Sequence, residues 1–357
     1  MTEPSPTGPS PEDQARASEG TAAGTEHRSA AAPPPAASPH ERFGLTTFVL
    51  DGRQAPALFV VGWVATVAGI ALLTITLLGV AGLAALVLSM AGFGALSVGT
   101  ILLAGSQTIE RKAAGVPYAG PSPLLIFIAV IATGRLAGYL VGIPLLAVAD
   151  AIPRAIGDVL ATIVLAIVFL GVLRLTVVGP GVLRWSEMGL RGGPGTAMRE
   201  ALGGAAYAIP VIVVTSVVAA LAVQLAGTAP ESPLPPTGTN EGLVLHLVAG
   251  ALLAPFYEEV LFRGFALRAW WITSGPRAAI LRSSFLFVLA HVLFIGAERF
   301  QDAVALAFVG AIARVPVSLT LGWLYVRTGS LWAPIGLHAA FNGTLIILAE
   351  VAVRAGA

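Results

Sequence analysis

From about residue 57 onward, the chain consists of long apolar segments separated by short polar loops. Each segment has about 20 or more residues, the length at which an α-helix crosses roughly 30 Å of hydrocarbon at about 1.5 Å per residue. The predicted spans are 57–79, 82–105, 123–149, 157–178, 201–226, 242–268, 280–297, 303–326 and 331–350. The pattern therefore predicts an all-α polytopic membrane protein with about eight or nine transmembrane helices.

The first 52 residues have a different character, because they are rich in Pro, Ala, Ser and Gly. Such a segment buries too little apolar surface to order itself, so we expect a disordered cytoplasmic tail. We do not expect a signal peptide, since the first apolar run starts later than a cleavable one would. The predicted organisation is this tail at 1–52, accessory transmembrane helices at 55–180 and a core that carries the chemistry at 200–350.

Composition supports the membrane class and limits the chemistry. Of the 357 residues, 56% are hydrophobic and only 11% are charged, which is too few polar groups to cover a soluble surface. The 20 Lys and Arg nearly balance the 19 Asp and Glu, which argues against a nucleic-acid partner. No cysteine occurs, which excludes disulfides, thiolate metal sites and a Cys nucleophile. Any chemistry must come from Glu, Asp, His, Ser, Arg or Asn.

The loops differ in their basic residues. If the tail is cytoplasmic, the cytoplasmic loops carry most of them and the opposite loops carry few. The first set is Arg111, Lys112, Arg184, Arg191, Arg199, the loop between Arg268 and Arg282, and Arg327; the second is Arg154, Arg299 and Arg354. By the positive-inside rule, this asymmetry predicts a multi-pass protein of the cytoplasmic membrane with its N-terminus inside.

The stretch FYEEVLFRG at 256–264 places three charges within an apolar span. An ionisable side chain near the bilayer centre costs about 2.5–3.5 kcal/mol, so it normally faces a partner or a wet cavity. Glu259 and Arg263 are four residues apart, lie on one helical face and can pair. Glu258 is rotated away from them. It is therefore predicted to be an unpartnered carboxylate, which is what a general base or acid requires.

Two further polar pairs have helical spacing: Phe287 with His291, and His338 with Asn342. Counted from the nearest cytoplasmic arginines, Glu258 and the two histidines all lie roughly 13–17 Å below the membrane boundary at 1.5 Å per residue. They are predicted to share one layer, where neutral donors could stabilise an oxyanion.

Another histidine, His246, would lie roughly 18 Å further toward the outside than Glu258 and is excluded from this layer. We expect it to be an interfacial residue near a helix start. A buried His or a Glu–Arg pair alone is usually structural, but their joint occurrence at one depth favours a site.

Three ordered motifs carry a resemblance to a known family: EEVLFR at 258–263, FVLAH at 287–291 and HAAFN at 338–342. They resemble the EExxxR, FxxxH and HxxxN/D motifs of the CAAX protease and bacteriocin-processing (CPBP) intramembrane proteases, which are related to the CAAX prenyl endopeptidase. The surrounding sequence agrees, with RGF after the first motif and LGWLYVRTGSLWAPIGL before the third. The resemblance covers about residues 240–345.

This resemblance implies an intramembrane endopeptidase whose cavity opens toward the cytoplasm. Its expected substrate is a peptide or a membrane-protein segment, and its expected surroundings are the lipid bilayer. The implied roles are activation of the attacking water by Glu258 with His291, shaping of the site by Glu259 and Arg263, and stabilisation of the oxyanion by His338 with Asn342.

The need for a metal is left open by the residues. The family name includes metalloprotease, and two imidazoles with a carboxylate could coordinate zinc in an open catalytic site. No HExxH motif is present, since HERFG at 40–44 lacks the second histidine and lies in the tail; GxSG and GxGD are also absent. We therefore expect no obligatory metal, with zinc as the alternative.

Two other functions compete with proteolysis. One is a non-catalytic membrane scaffold or immunity-type protein that keeps the CPBP fold for partner binding. The other is a proton-coupled transporter that uses Glu258 as its proton site, which the lack of a visible internal repeat weakly disfavours. One departure from the family pattern is the span with Arg314 and Pro316, which is more polar and more kinked than the resemblance predicts.

Overall fold

The computed structural model describes residues 52–146, 151–230 and 234–356. Apart from Gly52, the predicted disordered tail lies outside the described residues. Across these ranges the secondary structure is helical and contains no strand, as the apolar pattern predicts.

Nine helices follow one another in the described ranges. They are α1 (Pro56–Leu77), α2 (Gly82–Ala113), α3 (Pro123–Leu146), α4 (Arg154–Val178), α5 (Pro194–Ala226, with a turn at 206–207), α6 (Asn240–Ser274), α7 (Pro276–Val292), α8 (Phe300–Thr328) and α9 (Trp332–Arg354). Eight of the nine are long and apolar enough to cross a membrane; the exception is α7, which has 17 residues. At about 1.5 Å per residue, α7 extends only about 25 Å. The chain is thus a multi-pass, all-α membrane protein.

The first two helices form a hairpin that is held together by small residues. A Cβ atom added to Gly69 of α1 would lie 2.6 Å from the backbone nitrogen of Leu96 in α2, and one added to Gly99 would lie 2.5 Å from the nitrogen of Thr66. Larger side chains would separate the two backbones. This close approach is typical of transmembrane helix pairs, whose association depends on van der Waals packing.

Helix α9, which carries the HAAFN motif, is fixed against α5 in the same way. A Cβ atom on Gly336 would overlap the carbonyl oxygen of Ala201, and one on Gly204 would overlap that of Ala333. Near the start of α9, the Ser330 hydroxyl also hydrogen-bonds the carboxylate of Glu200. These contacts set the depth at which α9 presents its polar residues.

Helix α6 is the centre of the bundle. Every residue from Val260 to Leu267 is buried, and the ring of Phe262 contacts those of Phe127 in α3 and Phe287 in α7. Two π-helical segments, Val248–Leu253 and Val260–Leu267, flank the short α-helical turn that ends at Glu259. Single-turn π-helical insertions of this kind are frequent at functional sites, because they re-aim neighbouring side chains.

Candidate active site

Glu259 and Arg263 form an ion pair in which both residues are completely buried. Arg263 Nη1 donates to Glu259 Oε1 at 2.9 Å, and Nη2 donates to the carbonyl of Ser318 in α8 at 3.1 Å. The guanidinium also lies 4.5 Å from the ring centroid of Phe287. The pairing predicted from the four-residue spacing is therefore confirmed, and the same arginine links α6 to α7 and α8.

Glu259 has a second partner that the sequence did not predict. His338 Nδ1 lies 2.9 Å from Glu259 Oε1, the oxygen that also accepts from Arg263. Because a carboxylate only accepts hydrogen bonds, Nδ1 carries the proton. The carboxylate thus orients the imidazole of His338, and its Nε2 points toward Glu258.

His291 is oriented by its own helix. Its Nδ1 lies 2.7 Å from the carbonyl oxygen of Phe287, which only accepts, so Nδ1 again carries the proton. The ring of Phe287 packs against the imidazole with centroids 4.5 Å apart, as the spacing of the two residues predicts. Helix α7 is itself held to α6 by the buried hydroxyl of Ser283, which donates to the carbonyl of Phe262 at 2.7 Å. Nε2 of His291 therefore faces Glu258 from a fixed position.

Glu258 lies between these two imidazoles without touching either. Its Oε2 is 3.8 Å from His291 Nε2 and 4.0 Å from His338 Nε2, and both distances exceed a direct hydrogen bond. This oxygen is buried and accepts no hydrogen bond from any of the described residues. Polar atoms separated by such distances are commonly bridged by water. The three groups line one cavity, where a water molecule could bridge them.

Asn342 also reaches this region, one turn beyond His338. Its Nδ2 donates to the carbonyl of Gly250 at 2.8 Å, in the first π-helical segment of α6. Since the carboxamide has two N–H groups, one donor remains available to another acceptor. Asn342 therefore holds α9 to α6 as well as lining the same cavity as His338.

Two cavities meet at this site, and both are lined by Glu258 and His291. The first, cavity 1, has a volume of about 610 Å³ and lies between α3, α4, α6 and α7, with mostly apolar walls and one cation, Arg135. The second, cavity 2, has a volume of about 320 Å³ and lies between α5, α6, α7, α8 and α9. It contains His338 and Asn342 together with Arg314, the residue that makes its span more polar than the family pattern.

The remaining membrane histidine, His246, is buried against a neighbouring helix. Its exposed fraction is only 2%, and its Nε2 lies 3.1 Å from Asp158 Oδ2 in α4. The sequence did not predict this carboxylate partner, which is 88 residues away. His246 lines neither of the two cavities that contain Glu258, and its position at the membrane interface stays a prediction.

Among the described residues, no group of three or more His, Cys, Asp or Glu side chains could hold a metal ion. Tetrahedral zinc with bonds of about 2.0–2.1 Å brings its ligand atoms to roughly 3.3 Å from one another. The distances of 3.8 and 4.0 Å from Glu258 are wider than this. That no metal is obligatory stays a prediction.

Residues 240–344 match a family model described as type II CAAX prenyl endopeptidase Rce1-like. No curated protein and no solved structure matches the chain. The matched segment contains α6, α7, α8 and the first half of α9, and therefore all six site residues predicted from the sequence. This match agrees with the resemblance to the CPBP proteases, because residues 240–344 are similar to the Rce1-like family of type II CAAX prenyl endopeptidases.

Proposed function

We propose that this protein is an intramembrane endopeptidase that hydrolyses a peptide bond with a water molecule activated by Glu258. The observation that carries the proposal is the buried Oε2 of Glu258, which faces the Nε2 atoms of His291 and His338 across gaps of 3.8 and 4.0 Å. The family match to CAAX-type endopeptidases over the same helices supports a protease.

In the first step, a water molecule donates one hydrogen bond to Glu258 Oε2 and one to His291 Nε2. His291 can accept because its Nδ1 carries the proton and donates to the carbonyl of Phe287. This orientation turns a lone pair of the water toward the substrate carbonyl carbon. Glu258 then takes a proton as the water attacks, and a tetrahedral intermediate forms.

The oxyanion of that intermediate is stabilised by His338 and Asn342. His338 Nε2 must carry a proton to donate, so the ring acts as an imidazolium whose Nδ1–H is held by the carboxylate of Glu259. Asn342 contributes the N–H that is not used by Gly250. Donors fixed in a site of low dielectric stabilise developing charge strongly, because they need no reorganisation. The intermediate collapses when Glu258 returns its proton to the leaving amine.

The proposed substrate is a peptide or a membrane-protein segment that enters from the lipid bilayer. Cavity 1 is mainly apolar and reaches Glu258 and His291, which suits apolar residues beside the bond that is cleaved. The proposed setting is the cytoplasmic membrane with the N-terminus inside, and no metal takes part in the steps above.

Cleavage of a peptide library by the purified protein in liposomes tests this function. Wild-type protein should generate fragments from a mixed library of apolar decapeptides, identified by mass spectrometry. Glu258→Gln should reduce the rate by about 10²–10⁴-fold, the usual contribution of a general base. Glu241→Gln is the matched control, because Glu241 lies in the first turn of the same helix and is exposed. Wild-type rates in Glu258→Gln would contradict the proposal, and full complementation of a deletion phenotype by that variant would favour the scaffold function.

A further inference from the structure

We propose that Arg314 binds a carboxylate of the substrate in cavity 2, and so selects peptides that carry an acidic group on that side of the cleaved bond. The inference rests on the proposed function, because it places a peptide across Glu258. The carboxylate could belong to an Asp or Glu side chain or to the C-terminus of the peptide, and both present the same planar pair of oxygens.

The position of Arg314 requires an explanation. It lies at the midpoint of α8, is half-buried, and lines cavity 2 together with Glu258, His338 and Asn342. A cation at such a depth costs about 2.5–3.5 kcal/mol, and residues of this kind normally face a partner or mark a substrate path. Its charge acts on Glu258 through space, but the proposed hydrolysis assigns no hydrogen bond to its guanidinium.

The hydrogen bonds of Arg314 leave most of its donors available. Nη1 donates to the carbonyl of Gly310 at 2.8 Å, and no other hydrogen bond from this guanidinium reaches a described residue. A guanidinium has five N–H donors, so four remain. It also forms no ion pair within 4.0 Å among the described residues. Arg263 is the opposite case, since its charge is matched by Glu259 at 2.9 Å.

The chemistry of the guanidinium favours a carboxylate as the missing partner. Its planar fork matches the two oxygens of a carboxylate, and bidentate pairs of this type are roughly twice as strong as neutral hydrogen bonds. Glu258, the acidic residue that shares the cavity, faces the imidazoles and is not within ion-pair distance of Arg314. The volume of cavity 2, about 320 Å³, falls in the range of ligand-binding pockets.

Cavity 1 offers a matched arginine for comparison. Arg135 also lies in the middle of a membrane helix and lines a cavity that reaches Glu258. Its guanidinium, however, is 4.6 Å from the ring centroid of Phe294 and 6.0 Å from that of Phe93. Cation–π contact already stabilises this charge. The acidic end of the substrate is therefore expected in cavity 2 and its apolar part in cavity 1.

Equilibrium binding to Glu258→Gln protein in nanodiscs tests the inference without turnover. A library of apolar octapeptides is prepared in three versions: amidated, with a free C-terminal carboxylate, and amidated with one added Glu. Peptides retained by the immobilised protein are quantified by mass spectrometry. At least one acidic version should bind about 10- to 100-fold more tightly than the neutral version, as expected for a charge-assisted hydrogen bond. The version that is preferred identifies the source of the carboxylate.

Substitution of Arg314 in the same background should remove this preference. Arg314→Gln should bind all three versions alike, with unchanged affinity for the neutral one, whereas Arg135→Gln should keep the preference. Arg314→Lys, which keeps the charge but not the planar fork, should retain part of it and serves if the Gln variant does not fold.

Three outcomes would overturn the inference: equal binding of the three versions by the parent protein, a preference that persists in Arg314→Gln, or one that is lost in Arg135→Gln instead. Because binding is measured without cleavage, these outcomes are distinct from a failure of the wild-type protein to hydrolyse any peptide, which would contradict the proposed function.

Discussion

Helix α6 takes part in two histidine–carboxylate contacts, which differ in the distance between the imidazole nitrogen and the carboxylate oxygen. Near its start, His246 Nε2 is in direct contact with Asp158 Oδ2 at 3.1 Å. Twelve residues further on, Glu258 Oε2 stays 3.8 Å from His291 and 4.0 Å from His338. Direct contact satisfies both partners and joins two helices, whereas a gap leaves acceptors directed at a third molecule. Spacing, rather than residue type, therefore separates the structural pair from the candidate active site.

Between these two cases lies Glu259, which is in direct contact with Arg263 and His338 and is fully buried. Both partners contact its Oε1, so we expect its effect on chemistry to pass through the orientation of His338. We regard Glu259 as a positioning residue. The groups that we expect to face the reactants are Glu258 and the two imidazoles.

The largest expected effect on stability comes from breaking the buried ion pair between Glu259 and Arg263. Arg263→Met would leave a completely buried carboxylate without its arginine, a change that costs about 3–5 kcal/mol in a buried pair. Thermal unfolding of the detergent-solubilised protein measures this loss. Arg135→Met removes an exposed membrane arginine and should have a much smaller effect. Equal losses in the two variants would contradict the distinction.

Loss of the charge of Glu259 should weaken catalysis while leaving substrate binding intact. Glu259→Gln still presents an oxygen to His338 but supports its imidazolium less well, and kcat should fall about 10- to 100-fold with KM unchanged, as for other residues that orient a site group. In a His338→Gln background, adding Glu259→Gln should cause little further loss, because Glu259 acts through His338. Additive losses in the double variant would show that Glu259 acts by another route.

The contact between His246 and Asp158 should contribute to the stability of the fold and not to catalysis. Asp158→Asn removes a charge-assisted hydrogen bond to a buried histidine and should lower the free energy of unfolding by about 1.5–3 kcal/mol. The His246→Gln variant should lose a similar amount, and the double variant should lose less than the sum. Cleavage rates at a temperature where all variants are folded should equal the wild-type rate, and a reduced kcat would place this pair in the catalytic path.

The smallest expected effect is that of metal removal. If the space beside Glu258 holds water alone, prolonged incubation with a zinc chelator should leave the cleavage rate unchanged. A cleavage rate that falls with chelator and returns with added zinc would show that the attacking water is bound to a metal. Imidazole and carboxylate groups are suitable ligands for such a metal. Inductively coupled plasma mass spectrometry of the purified protein provides the independent readout.

Local spacing predicted the parts of the site that lie within single helices. The i to i+4 contacts of Glu259 with Arg263 and of Phe287 with His291 follow from helical geometry, and the structure has both. Depth counting predicted that Glu258 and the two histidines share a layer, because each helix rises by the same distance per residue.

The contacts between different helices were not predicted from the sequence. The bond from His338 to Glu259 joins residues 79 apart, and that from Asn342 to Gly250 joins residues 92 apart. Both depend on how α9 is seated by the glycines that let it approach α5, which a linear pattern does not encode. The burial of His246 against Asp158 was missed for the same reason. The fold class, by contrast, needed only the length and polarity of each segment.

The most direct test of the role of Glu258 replaces one carboxylate by an amide at each of the two histidine–carboxylate contacts of α6. Glu258→Gln and Asp158→Asn are compared with wild-type protein by their kcat for one peptide in the same liposomes. Glu258→Gln should lower kcat by about 10²–10⁴-fold, and Asp158→Asn should leave kcat unchanged. Wild-type turnover by Glu258→Gln, or equal losses in both variants, would contradict this role of Glu258.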